Sequence, residues 1–217
     1  SSDLACPWEN IRMAPRKPAG GAIARDELAP ALVAAAVANV QIVNNVVSNV
    51  YAGNNLGNKT AHGIVAGFSP GTQDITGLVV ASNRIHQIAS QLRGAYGIQI
   101  NHTTSPGGGK TVAPQIFNNE ISGLTGNWAH AIGLEGNTPN AVVRSNLISD
   151  LSDFNPTPFA DAIGVKVEDN AYAASVVIQH NSFSNLFAGV LNATVATVNA
   201  ESNWWASPSG PVATLNP

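Results

Sequence analysis

Hydrophobic residues recur along this chain in step with an asparagine, and that step predicts its elements. The phrase V-V-I-Q-H-N-S-F-S-N-L at 176–186 has counterparts at 40–50, 78–88, 114–124 and 141–151, and returns altered at 198–207. Each copy carries an asparagine at the same place: Asn45, Asn83, Asn119, Asn146, Asn181 and Asn203. Three residues before it stand Ile42, Val80, Ile116, Val143, Ile178 and Ala200; five before it stand Val40, Leu78, Pro114, Ala141, Val176 and Val198. Apolar positions two apart, separated by polar ones, are the signature of a half-buried strand. Beyond the asparagine the apolar columns fall at +2 (Val47, Ile85, Ile121, Ile148, Phe183, Trp205) and +5 (Val50, Ile88, Leu124, Leu151, Leu186), so the alternation slips. A bend at the asparagine accounts for the slip, because asparagine tolerates the left-handed backbone better than other non-glycine residues. Stacked on successive turns, the six asparagines would form a hydrogen-bonded ladder.

A second column set, Gly63-Ile64, Gly97-Ile98, Gly133-Leu134, Gly164-Val165 and Gly189-Val190, predicts another short strand entered through glycine. The asparagines are 38, 36, 27, 35 and 22 residues apart, and a repeat of this length means a solenoid, propeller or array. About three short strands per repeat and no helix among them predict an all-β parallel β-helix of about six coils over residues 38–211. The shortest gap is the bare coil; longer ones carry inserts at two recurring corners, 51–61 and 152–160 at one and 68–74 and 101–111 at the other.

Residues 1–37 differ, holding eight of the chain's 23 charged residues together with Pro7, Pro15 and Pro18. They read as an N-terminal arm and cap over the end of the solenoid, with a short helix at Ala31–Ala38; the alternative is an arm reaching a neighbouring molecule. Residues 212–217 read as a C-terminal tail.

Composition narrows the function. Charged residues make up 11% of the chain, the net charge is −3, and neither nucleic-acid binding nor membrane insertion is expected. The lone Cys6 excludes an internal disulfide framework. The chain opens at Ser1 with no signal peptide, so we expect a secreted protein whose targeting segment has been removed.

The ladder asparagine, the Gly-Ile/Val strand and the short coil resemble the right-handed parallel β-helix repeat family, the pectin-lyase-like superfamily. The ending Asn203-Trp204-Trp205-Ala206-Ser207-Pro208-Ser209-Gly210-Pro211 resembles the closing motif of secreted members, with Ala206 where glycine is usual. The resemblance implies a right-handed, single-stranded β-helix at the cell surface or outside the cell. It implies no single activity, because that superfamily spans polysaccharide lyases, hydrolases, epimerases, adhesins and non-enzymatic surface proteins.

Chemistry is sought first among acids, since glycoside hydrolysis needs two carboxylates on one face. Asp150, Asp153, Asp161, Glu168 and Asp169 cluster in one repeat, with Glu120 and Glu135 in the one before. The polygalacturonase-like and epimerase motifs are absent, and Asp161-Ala162-Ile163-Gly164 matches the former only superficially. Turn and surface acids are therefore the default, and Asp161, Lys166 and Arg144 are the residues of the enzymatic alternative. The P-loop-like run Ser105–Thr111 lacks its first glycine and a following helix. His62, His86, His102, His130 and His180 show no metal-ligand spacing and read as scattered surface histidines; no metal and no cofactor are expected. Trp204 and Trp205 read as closing the core. Asn58, Asn101 and Asn192 head N-x-S/T sequons, the first two in predicted inserts accessible to a glycan. Two functions remain. One is a non-enzymatic extracellular β-solenoid, structural or adhesive, whose partners are further copies stacked end to end into a filament. The other is a polysaccharide-active enzyme or glycan-binding module that engages cell-surface polysaccharide.

Overall fold

The computed structural model describes residues 37–53, 59–67, 74–101, 109–154, 161–168, 175–207 and 209. The strands are β1 (Val37–Ala38), β2 (Gln41–Val43), β3 (Val46–Ala52), β4 (Ala61–Ala66), β5 (Ile75–Thr76), β6 (Val79–Ala81), β7 (Arg84–Ser90), β8 (Ala95–Ile100) and β9 (Thr111–Val112). They continue as β10 (Gln115–Phe117), β11 (Glu120–Gly126), β12 (Ala129–Leu134), β13 (Val142–Arg144), β14 (Leu147–Asp153), β15 (Ala162–Val167), β16 (Val177–Gln179), β17 (Ser182–Ser184) and β18 (Ala188–Asn192). All pair in parallel with the equivalent strand one turn away, giving sheets β1-β5-β9, β2-β6-β10-β13-β16, β3-β7-β11-β14-β17 and β4-β8-β12-β15-β18. The chain is a parallel β-solenoid built on three main strands per coil.

The expectation of about six coils is corrected. Among the described residues about three turns carry a strand in all four sheets: β1–β4, β5–β8 and β9–β12. Two shorter turns, β13–β15 and β16–β18, follow. Among the described residues a sixth passage is marked by the isolated bridges Val177↔Asn199 and Ser182↔Trp204. The N-terminal segment lies outside the described residues except Val37, where the expected helix over 31–38 ends in strand β1 against Ile75–Thr76. The tail 212–217 and much of the inserts also lie outside them.

The apolar columns fill the core as the pattern predicts. Leu78, Val80, Ile85, Ile88, Ile116, Ile121, Leu124, Val143, Ile148 and Ile178 are fully buried, while Val40, Ile42, Val47, Val50, Val198 and Ala200 at the ends are only partly covered. Burying each such side chain contributes about 1.5–3 kcal/mol, so the middle turns hold the rod together.

The bend lies one residue from its expected place. The ladder asparagines do not adopt positive φ; the residue before each does, at Asn44, Ser82, Asn118, Ser145, His180 and Ser202 (φ 55–57°). Two further left-handed columns flank it at five-residue steps: Asn39, Gly77, Ala113, Asn140 and Ser175 on one side, Asn49, Gln87, Gly123, Asp150 and Asn185 on the other. Each left-handed residue turns the strand and exchanges its inward and outward parity. That is why apolar positions run odd, then even, then odd around the asparagine.

With its neighbour making the bend, the asparagine is free to point inward. Asn83, Asn119, Asn146 and Asn181 are buried, and each donates from both its backbone N and its Nδ2 to the Oδ1 of the next, at 2.9–3.0 Å. Nδ2 also donates to the carbonyl three places before the preceding asparagine, as from Asn119 to Val80. The polar side-chain atoms of these four asparagines are thereby satisfied, which is the condition for burying them.

Candidate functional site

The fourth sheet carries polar chemistry on its outer side. In β4, β8, β15 and β18 the column residues Gly63, Gly97, Gly164 and Gly189 fall outside the paired register, so parity changes there too. The register places Ala131, followed by Ile132, in the column; the expected Gly133-Leu134 is two residues off. Leu134 belongs instead with Ile100 and Val167, and Gly133 pairs with Gln99 and Lys166. A side chain is excluded at these sites by the neighbouring turn: a Cβ on Gly63 would lie 2.6 Å from the Gly97 carbonyl oxygen, and one on Gly164 2.5 Å from that of Gly189.

This parity puts Ala95, Ile98 and Ile100 into the core and leaves Tyr96 and Gln99 on the outer face. Tyr96 is in register with His62 on one side and His130 on the other. The His62 and Tyr96 rings stack at 5.4 Å, and His130 meets Tyr96 edge-on at 5.0 Å. Gly133 leaves the room that the Tyr96 ring occupies, since a Cβ there would lie 2.7 Å from Cε1.

Around this column the ionisable groups converge. His130 Nε2 lies 2.9 Å from Asp161 Oδ1, and its Nδ1 faces Glu168 Oε1 at 3.3 Å, off the line of a hydrogen bond. Lys166 Nζ bridges the same two carboxylates, 3.4 Å from Asp161 Oδ2 and 3.3 Å from Glu168 Oε2. The Tyr96 hydroxyl donates towards Glu135 at 3.1 Å or Glu168 at 3.4 Å, and Gln99 Nε2 donates to Glu135 at 2.6 Å. Asp153 Oδ2 accepts from the backbone N of Asp161 and anchors its loop.

Burial and charge divide the labour. The His130 side chain is 1% exposed, Glu168 14%, Lys166 16% and Asp161 33%, so Asp161 is the carboxylate that solvent reaches. Burial opposes a charge on His130, yet Asp161 and Glu168 outweigh both burial and Lys166, and its pKa is raised. Burial likewise opposes the Asp161 carboxylate, but His130 and Lys166 prevail and hold its pKa below the usual range. Burial first, then Glu168 and Glu135, push the Tyr96 hydroxyl far up, so it keeps its proton. Asp161 is thereby held ionised, the state in which a carboxylate accepts a proton, though its lowered pKa makes it a weaker base than a free aspartate, and Lys166 is placed to neutralise negative charge.

Of the residues proposed for an enzyme, Asp161 and Lys166 meet here and Arg144 does not. Arg144 is exposed in the second sheet, its Cζ 4.5 Å from the Phe117 ring centroid. Glu135 and Glu168 join the site. Glu120 pairs with Arg84 at 3.4 Å, and Asp150 is exposed on the third sheet, its pKa lowered by Asn185 and Ser149; neither acid reaches the cluster. Asp169 lies outside the described residues. The reading of His130 as a surface histidine is corrected by its burial. The missed signal was the recurrence of A-H-G-I, A-Y-G-I and A-H-A-I at 61–64, 95–98 and 129–132, an aromatic residue in one column of three successive turns.

The sequons separate as well. Asn58 lies outside the described residues. Asn101, expected to be accessible, is buried at 3% exposure, its Nδ2 donating to the carbonyls of Gly109 and Asn137. Asn192 is exposed, with Oδ1 accepting from Thr194 N and Oγ1. Trp205 packs on the core and stacks on Phe183 at 5.2 Å, whereas Trp204, expected to close the core too, is 52% exposed. No described group of three or more His, Cys, Asp or Glu is arranged to hold a metal ion. No protein-family model, curated protein or solved structure matches the chain.

Proposed function

We propose that this is an extracellular, right-handed β-solenoid of the pectin-lyase-like kind that binds and cleaves polysaccharide on the outer side of its fourth sheet. One observation carries the reading: His130, Tyr96, Glu135, Asp161, Lys166 and Glu168 converge across three turns on a face where a solenoid of unreactive surface would place scattered polar residues. Clusters of perturbed titratable groups mark functional sites more often than structural ones. In this reading Asp161 is the base that meets the substrate, Lys166 neutralises charge developing on it, and His130 positions both. The Tyr96–Glu135–Gln99 chain fixes the inner wall. An elongated face of stacked strands suits an extended polymer.

The test is a panel of uronate and neutral polysaccharides assayed for cleavage and for retention, with Asp161→Asn beside the wild type. Cleavage reduced by about 10²–10⁴-fold in the variant supports the proposal. Retention without cleavage reduces it to a glycan-binding module, and no response across the panel overturns it.

A second reading, a structural or adhesive protein that self-associates end to end, is favoured by a different observation. The core columns are sealed in the middle turns but remain partly open at both ends, at Val40, Ile42, Val47 and Val50 and again at Val198, Ala200 and Trp205.

A further inference from the structure

The third sheet records one column in full: Val46, Arg84, Glu120, Leu147, Ser182 and Trp204 lie side by side on successive turns. Arg84 and Glu120 ion-pair within it and Leu147 stands half-exposed midway, while both end residues are apolar, Val46 70% exposed and Trp204 52%. The ladder beside it ends in complementary atoms. Among the described residues nothing donates to Asn45 Oδ1 at the first turn, and Asn203 N, the atom that donates to the next Oδ1 everywhere else in the ladder, has no acceptor at the last. The backbone follows the same rule. Arg84, Glu120, Leu147, Ser182 and Trp204 each donate N–H to the carbonyl of the preceding ladder asparagine, which leaves Val46 N as donor at one end and Asn203 O as acceptor at the other.

Resting on the self-association reading, we infer that a second copy of this chain docks head to tail in the register of the solenoid itself. Asn203 of one copy donates to Asn45 of the next, Val46 N donates to the Asn203 carbonyl, and Trp204 covers Val46. The occupant is another copy because the donor and acceptor at one end match the acceptor and donor at the other, and each end has an apolar residue to cover its counterpart, in the same columns. An unrelated partner would have to reproduce all of them. The junction involves the second and third sheets, which among the described residues are the ones with bridges in the sixth passage.

Neighbouring strands stand about 4.7–4.9 Å apart, inside the Cα separation of about 4.4–6.8 Å that a disulfide spans. In a Cys6→Ser background, Val46→Cys combined with Trp204→Cys should therefore give, on oxidation, a ladder of covalent multimers on a non-reducing gel. Each single variant should give nothing beyond a dimer. Sedimentation of the unaltered chain over a wide concentration range accompanies it, since the substitutions remove part of the apolar contact. Association without cross-linking overturns this register and leaves self-association standing. Monomers at every concentration overturn both.

Discussion

At the scale of single residues, the asparagine column shows how far a pattern can be read and where it stops. Its place in every repeat, its ladder and the apolar columns around it were legible, because spacing along the chain maps directly onto facing positions. The bend was legible too, but not the residue that makes it, since Asn44, Ser82, Asn118 and Ser145 are as ordinary in sequence as any exposed polar residue, and only the backbone distinguishes them. The ladder is where a single change costs most. Asn119→Ala removes the acceptor of two bonds from Asn83 and two donors to Asn146 and Val80. Buried donors left without partners cost about 1–3 kcal/mol each, so we expect a loss of about 2–4 kcal/mol in denaturant unfolding, against a much smaller loss for the exposed Asn45→Ala. His130 makes a second residue-scale prediction. Its pKa is raised in the fold, so the stability it contributes is complete below the ordinary histidine pKa of about 6.5 and is lost as pH rises through the higher folded value. Asp161 runs the other way: its pKa is lowered, and its contribution, complete above the ordinary aspartate value, is lost as pH falls through the folded one. Thermal stability should therefore fall on both the acid and the alkaline side, and His130→Gln should remove the alkaline decline and shrink the acid one, because His130 is also the chief group that holds the Asp161 pKa down. A flat alkaline profile in the wild type would contradict the arrangement.

At the scale of elements, the strands of the fourth sheet depend on glycine for a reason that lies in the neighbouring turn. The Gly-Ile/Val pair was legible as a strand entrance, but aligning Gly133 with it was an error that only pairing could correct. Ala131 occupies that column, while Gly133 makes room for the Tyr96 ring two places on. Gly164→Ala should place a methyl group 2.5 Å from the Gly189 carbonyl oxygen and 2.6 Å from the Phe183 ring. Overpacking of this kind costs about 1–3 kcal/mol, and because Lys166 follows two residues later, urea unfolding and the pH profile of stability should both change. The cluster itself was half legible. Asp161, Lys166 and Glu168 are neighbours along the chain, but the approach of Glu135, His130 and Tyr96 depends on which residues face outward. Spacing alone does not say that, because parity changes at the column of Gly63, Gly97, Ala131, Gly164 and Gly189 and at every left-handed residue.

At the scale of the whole molecule, the strands of each turn pair only with those of the turns beside it, so stability is distributed rather than pooled in one centre. The middle turns, sealed on both sides, should show the slowest amide exchange, along β6–β8 and β10–β12; β2, β3, β17 and β18 should exchange faster, in keeping with their partly covered columns. Uniform protection from first turn to last would mean that the ends are covered as well as the middle. The ladder has one further consequence. Every bond between its side chains runs the same way, from the Nδ2 of one asparagine to the Oδ1 of the next towards the C-terminus. The rod is thus a vector, with an oxygen-bearing end and a nitrogen-bearing end that no rotation interchanges. Two copies related by a twofold axis across either end would set like atom against like, so any assembly that prolongs the ladder is directional and grows by an unlike addition at each tip.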